Sequence, residues 1–158
     1  MSPSQVLFLA FLIGVVAGLR SLTAPAVVAW AAHRNRLQLH NSPLSFMGST
    51  AAVVVFTLLA LVELVADQLP STPSRTEPPG LIARIVLGGL SGAAVVASES
   101  QSIALGAVLG MVGGIVGAFA GYKVRTRLVR ALKVPDFAIA CLEDVVALGG
   151  GILIVSRF

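Results

Sequence analysis

Five apolar runs, each near the length that crosses a bilayer, dominate this chain and restrict it to a helical membrane bundle. A transmembrane helix takes about 20 apolar residues. Residues 5–32, 49–69, 80–97, 103–122 and 137–155 meet that standard and are separated by short polar segments. The chain is 56% hydrophobic and 11% charged over 158 residues, with a mean hydropathy of +0.94. A soluble domain carries about 25% charged residues to cover its surface, so here most of the surface must face lipid. The expected fold is all-α: one polytopic domain over 1–158 with about five transmembrane helices. The proline-rich segment 70–79 joins a first part, 1–69, to a second, 80–158. Residues 1–5 lack the positive leader of a signal peptide, so the first run is expected to be retained as a membrane helix.

That first run is too long for one upright helix. Arg20 interrupts it, and Ser21, Thr23 and Pro25 follow. Ser or Thr shortly before Pro is a helix-start signal, because Pro lacks the N–H that a first turn leaves unpaired. A kink or break is expected near 20–24, with a second short helix ending at Trp30 and Ala32. A re-entrant half-helix is the competing reading.

The connections set the orientation. Residues 33–47 are polar, PSTPSRTEPP cannot be helical throughout, and 98–102 forms a tight turn. Residues 123–133 hold Lys123, Arg125, Arg127, Arg130 and Lys133. With five spans, Arg75 and that basic run share one side, against Arg34, Arg36 and Arg157 on the other. The positive-inside rule then puts the N-terminus in the cytoplasm, the C-terminus outside and the protein in the cell (inner) membrane. If 21–32 crosses alone, the N-terminus changes sides and the basic run stays cytoplasmic. Loop charges of this kind orient a membrane protein and give no reason to expect nucleic acid.

Ionisable residues within the apolar runs are the candidate site. Glu63 and Asp67 lie one turn apart on one helix face; Arg84, Glu143 and Asp144 lie inside the third and fifth runs. A charge at the bilayer centre costs at least ~2.5–3.5 kcal/mol, so such groups pair, face a wet cavity or work. Spacing and topology put all five at similar depths in the cytoplasmic half. Four carboxylates against one arginine leave excess acidity suited to proton or cation handling. The competing structural reading pairs Arg84 with one carboxylate while the others are protonated or reach the interface. Arg20, at the break, is a separate candidate that could meet an anionic group or a carboxylate.

Gly106, Gly110 and Gly114 mark one face of the fourth run, and Gly113, Gly117 and Gly121 another. Such faces let helices approach closely, within the chain or in a homo-oligomer. Gly149-Gly150-Gly151 could break the fifth helix or admit a neighbour. Cys141 is the single cysteine and reads as a small buried hydrophobe. No His/Cys cluster, Walker loop, nucleophile elbow or dinucleotide fingerprint is present, so no metal, cofactor or enzymatic activity is expected. Residues 10–20 resemble 113–123, and Val62-Glu63-x-Val65 resembles Leu142-Glu143-x-Val145, a weak candidate for an inverted repeat.

Gly18-Leu-Arg-Ser-Leu-Thr-Ala-Pro-Ala26, Glu63-Leu-Val-Ala-Asp-Gln-Leu-Pro70 with Thr72-Pro73, and Pro135-Asp-Phe-Ala-Ile-Ala-Cys-Leu-Glu-Asp144 together resemble the small integral membrane family filed as domain of unknown function 4126. The likeness covers most of the chain. It implies a multi-pass bacterial membrane protein and transfers no activity. From the residues, the leading expectation is a small-solute or ion transporter, or a channel-like protein, in contact with membrane lipids. Lipid handling (a flippase or lipid-modifying enzyme) and a non-catalytic assembly partner are the alternatives.

Overall fold

The computed structural model describes residues 1–66 and 76–158. Asp67 and residues 70–75 of the proline-rich segment lie outside the described residues. All regular structure among the described residues is helical: α1 (Pro3–Leu19), α2 (Thr23–His33), a 3-10 turn at Ser45–Gly48, α3 (Thr50–Ala66), α4 (Pro78–Ala97), α5 (Ile103–Leu132) and α6 (Asp136–Val155). Three of them, α4, α5 and α6, are long and apolar enough to cross a membrane, and α1 and α3 are shorter apolar helices. Large apolar side chains stand exposed along α3, α5 and α6, the surface expected of a membrane protein.

Local chemistry sets the boundaries. Ser2 and Gln5 form a reciprocal capping box around Pro3 at the start of α1, satisfying donors that a first turn leaves open. Helix α1 stops at Arg20, whose backbone is extended at φ −139° and ψ 108°. Helix α2 begins at Thr23 with Pro25 in its first turn. Pro78 opens α4, a position where the missing N–H costs nothing. The segment read as a linker to residue 79 is therefore already helical at its end. The basic run, read as a connection, is also helix: α5 continues to Leu132. Nothing in 123–132 breaks a helix, and Lys and Arg are good helix formers; Lys133 in the left-handed region and Pro135 end it.

Close approaches give the helix directions. Gly14 lies against Gly110 and Gly18 against Gly114, so α1 and α5 run in parallel. Gly92 lies against Gly106 and Gly88 against Gly110, so α4 runs against them. Asp144 meets Arg20 and Gly150 lies near Val16, so α6 also opposes α1. Gly151 packs on Val27, while Ile152 and Val155 share a cleft with Ala31 and Arg34, so α2 runs alongside α6. Helices α1 and α2 are thus a hairpin with its turn at residues 20–22. Helix α3 returns antiparallel to α2, from Gly48 beside His33 through Thr57 at Trp30 to Glu63 at Ser21.

The six α-helices among the described residues therefore alternate in direction. Met1, residues 34–49, residues 98–102 and residues 156–158 share one end; the α1–α2 turn, the start of α4 and the basic end of α5 share the other. The five-span expectation put the two chain ends on opposite sides; α2 turns back, so they share one end. Parallel α1 and α5 also remove the inversion expected between 10–20 and 113–123.

The glycine faces of α5 explain the closeness of the α1, α4 and α5 trio. A methyl carbon added at Gly110 would lie 2.1 Å from the Gly88 carbonyl oxygen on α4, and one at Gly113 would lie 2.2 Å from the Phe11 carbonyl oxygen on α1. Gly106 and Gly114 likewise meet α4, and Gly117 meets α1. Gly121 is buried too. Small residues let dispersion contacts accumulate between backbones where lipid offers no hydrophobic drive. At the end holding Met1, Leu37, Leu39 and Met47 fold inward against the same core as Val6, Val95 and Val96.

Candidate functional site

The α1–α2 turn gathers three of the buried charges singled out in the sequence, each on a different helix. A helix end leaves its last carbonyls and the next helix its first N–H groups without intrahelical partners. Inside a bundle those groups need side chains. Glu63, from α3, accepts hydrogen bonds from the Ser21 N–H at 2.8 Å, the Leu22 N–H at 2.8 Å and the Ser21 hydroxyl at 2.5 Å. Its negative charge sits at the start of α2, where the helix dipole favours an anion. Arg84, from α4, donates Nε–H to the Gly18 carbonyl oxygen at 3.1 Å and Nη1–H to the Gly80 carbonyl oxygen at 3.0 Å. Asp144, from α6, meets Arg20 Nε at 2.5 Å.

Burial makes these contacts consequential. Arg20 is fully buried, Arg84 is 5% exposed and Glu63 is 9% exposed, while the Asp144 side chain keeps 18% exposure. Taking a charge out of water costs several kcal/mol unless partners replace the lost solvation. The turn is a donor-rich seat, made of two N–H groups and a hydroxyl, beside two buried guanidinium groups.

Glu143 takes a different cation. Its Oε2 lies 3.6 Å from Arg125 Nη1. Arg125 also clamps Asp136 at the start of α6, with Nε–H on Oδ1 at 2.9 Å and Nη2 on Oδ2. Glu63 and Glu143 thus serve separate partners, and Asp144 serves a third. Asp67 lies outside the described residues.

The charge count changes accordingly. Among the described residues, the buried or half-buried cations are Arg20, Arg84 and Arg125 and the buried or half-buried carboxylates are Glu63, Glu143 and Asp144; Arg20 meets Asp144 and Arg125 meets Glu143, while Arg84 meets backbone carbonyl groups. The expected excess of four carboxylates over one arginine also counted Asp67, which lies outside the described residues; it treated Arg125 as a loop charge and set Arg20 apart. Ser21 and Asp136 were not recognised as partners either. The absence of Gly and Pro between Lys123 and Leu132 was the signal that Arg125 stays on α5, facing α6. Among the described residues no group of three or more His, Cys, Asp or Glu is placed to hold a metal ion, and Cys141 is half-buried.

The family model described as Domain of unknown function (DUF4126) matches residues 7–156. No curated protein matches the chain, and no solved structure does.

Proposed function

The chain belongs to the DUF4126 family, whose description names no activity, and from that premise we propose that it is a six-pass membrane transporter or channel-like protein for a small anion. In this reading the α1–α2 turn is the polar centre, held shut by Glu63. One observation carries it: the seat at the turn offers only donors, and the chain's own carboxylate fills it. Irregular backbone at membrane depth persists where it is buried in protein or lines a cavity, and buried ionisable groups there mark ion or solute pathways. Arg20, paired with Asp144, and Arg84, on the Gly18 and Gly80 carbonyl oxygens, hold the backbone of the same turn in place.

Depth supports the same reading. Gly18 lies against Gly114 and Ala118 of α5, and Ala118 precedes Lys123 by five residues. At ~1.5 Å per residue Gly18 sits about 7–8 Å inside the basic boundary, with the turn that follows it a few residues nearer. Five Lys or Arg over 123–133 at that end, against Arg34, Arg36 and Arg157 at the other, orient it to the cytoplasm, with both Met1 and Phe158 outside.

Flux in proteoliposomes tests the proposal. Chloride or nitrate should pass faster than through protein-free liposomes, and potassium should not. Glu63→Gln should raise the anion flux several-fold, because an amide cannot accept from all three donors and leaves the seat open to a free anion. Circular dichroism and gel filtration would establish that the variant is folded. Potassium flux without anion flux, or no flux in either protein, would refute the proposal.

A further inference from the structure

At the end opposite the turn, α2 and the last two turns of α6 border a cleft of about 350 Å³. Val27, Ala31, Leu148, Ile152 and Val155 make its apolar wall, and Trp30, Arg34 and Arg36 stand at its mouth. We propose that this cleft binds one anionic phospholipid, with an acyl chain along the apolar wall and the phosphate on Arg34 and Arg36.

Three observations single out that occupant. First, Arg34 and Arg36 are exposed, and neither has a carboxylate partner among the described residues. This distinguishes them from Arg20 and Arg125, which are paired with Asp144 and Asp136. Guanidinium groups hold phosphate through two parallel hydrogen bonds. Second, the cleft opens onto lipid-facing surface: Leu148 and Ile152 are each 51% exposed, so an acyl chain enters from the bilayer without crossing water. Third, the mouth is built for the interface. Trp30 is held by its Nε1–H on the Thr57 hydroxyl at 3.0 Å, and the Arg34 guanidinium carbon lies 5.0 Å from the Trp30 ring centroid. Tryptophan anchors at headgroup level, and the cation–π contact keeps Arg34 beside the cleft. The site lies apart from the α1–α2 turn and stands whether or not that turn carries solute.

Trp30 is the single tryptophan, so its fluorescence reports this cleft alone. The protein would be placed in phosphatidylcholine nanodiscs containing equal fractions of either dibrominated phosphatidylglycerol or dibrominated phosphatidylcholine. Bromine quenches only at short range, which keeps the basic run at the far end out of the signal. The anionic probe should bind with about thirtyfold preference, as each of the two surface arginines contributes roughly fivefold. Arg34→Gln with Arg36→Gln should bring the ratio to near one with an unchanged circular dichroism spectrum. Equal quenching in the parent protein would overturn the proposal, as would a preference that survives in the double variant. Loss of the preference on adding inorganic phosphate would assign the site to free phosphate instead and overturn the lipid.

Discussion

Gly110→Val is expected to prevent the α1, α4 and α5 trio from closing. The added carbon at position 110 would meet the Gly88 carbonyl oxygen at 2.1 Å and the Gly89 Cα at 3.2 Å. On the other side, a carbon added at Gly14 would lie 2.2 Å from the Gly110 carbonyl oxygen, so α1 is as close to this backbone as α4. These obstacles are backbone, so no side-chain rotation relieves them; α4 or α5 must move, and α1 with them. Overpacking costs about 1–3 kcal/mol where side chains can adjust, so here at least about 3 kcal/mol is expected. That corresponds to a midpoint lowered by about 6–12 °C. Gly149→Ala is the control. Nothing lies within 4 Å of a carbon added there, and alanine is a better helix former by up to about 1 kcal/mol, so the midpoint should hold or rise. Thermal unfolding in detergent would compare the two. A Gly110→Val protein as stable as its parent would mean that the trio does not pack through these glycines.

The second large effect is expected from Arg20→Met. Arg20 is fully buried and meets Asp144 at 2.5 Å. Removing one partner of a buried pair leaves the other charge uncompensated, at a cost of about 3–5 kcal/mol. Replacing both partners by apolar residues of similar volume is often close to neutral. Arg20→Met should therefore lower the midpoint sharply, and Arg20→Met with Asp144→Leu should recover at least half of the loss. A double variant as unstable as the single one would show that Arg20 is held mainly by groups other than Asp144.

The helical, apolar character of the chain was legible because it rests on run length and composition, which lipid constrains directly. The ends of α4 and α6 lie within two residues of the runs that foretold them, since Pro78, Pro135 and the 98–102 turn act locally. The basic continuation of α5 was missed because hydropathy ends at Tyr122, although the residues beyond it are good helix formers and mark the helix as continuing. The return of α2 was one of the alternatives the sequence left open. A broken apolar run reads the same whether its second half continues or doubles back. The direction depends on Glu63, Arg84 and Asp144, which come from three distant segments to satisfy the backbone and arginine at one turn. Their depth was inferable from spacing, but which carboxylate meets which cation was not. That depends on helix rotation, which apolar sequences facing lipid on one side and glycine on the other leave undetermined.

Solvent access to residue 21 distinguishes a working polar centre from a structural plug most directly. In a Cys141→Ser background, Ser21→Cys places the single thiol at the seat, where the serine hydroxyl now bonds Glu63. A small impermeant methanethiosulfonate would be applied from the side of the basic run, with and without Glu63→Gln. A gated seat predicts slow labelling that speeds up several-fold when Glu63 is replaced, and that chloride or nitrate slows again. A thiol unreactive in both proteins and indifferent to anions would make the turn a sealed structural joint and contradict the transport reading.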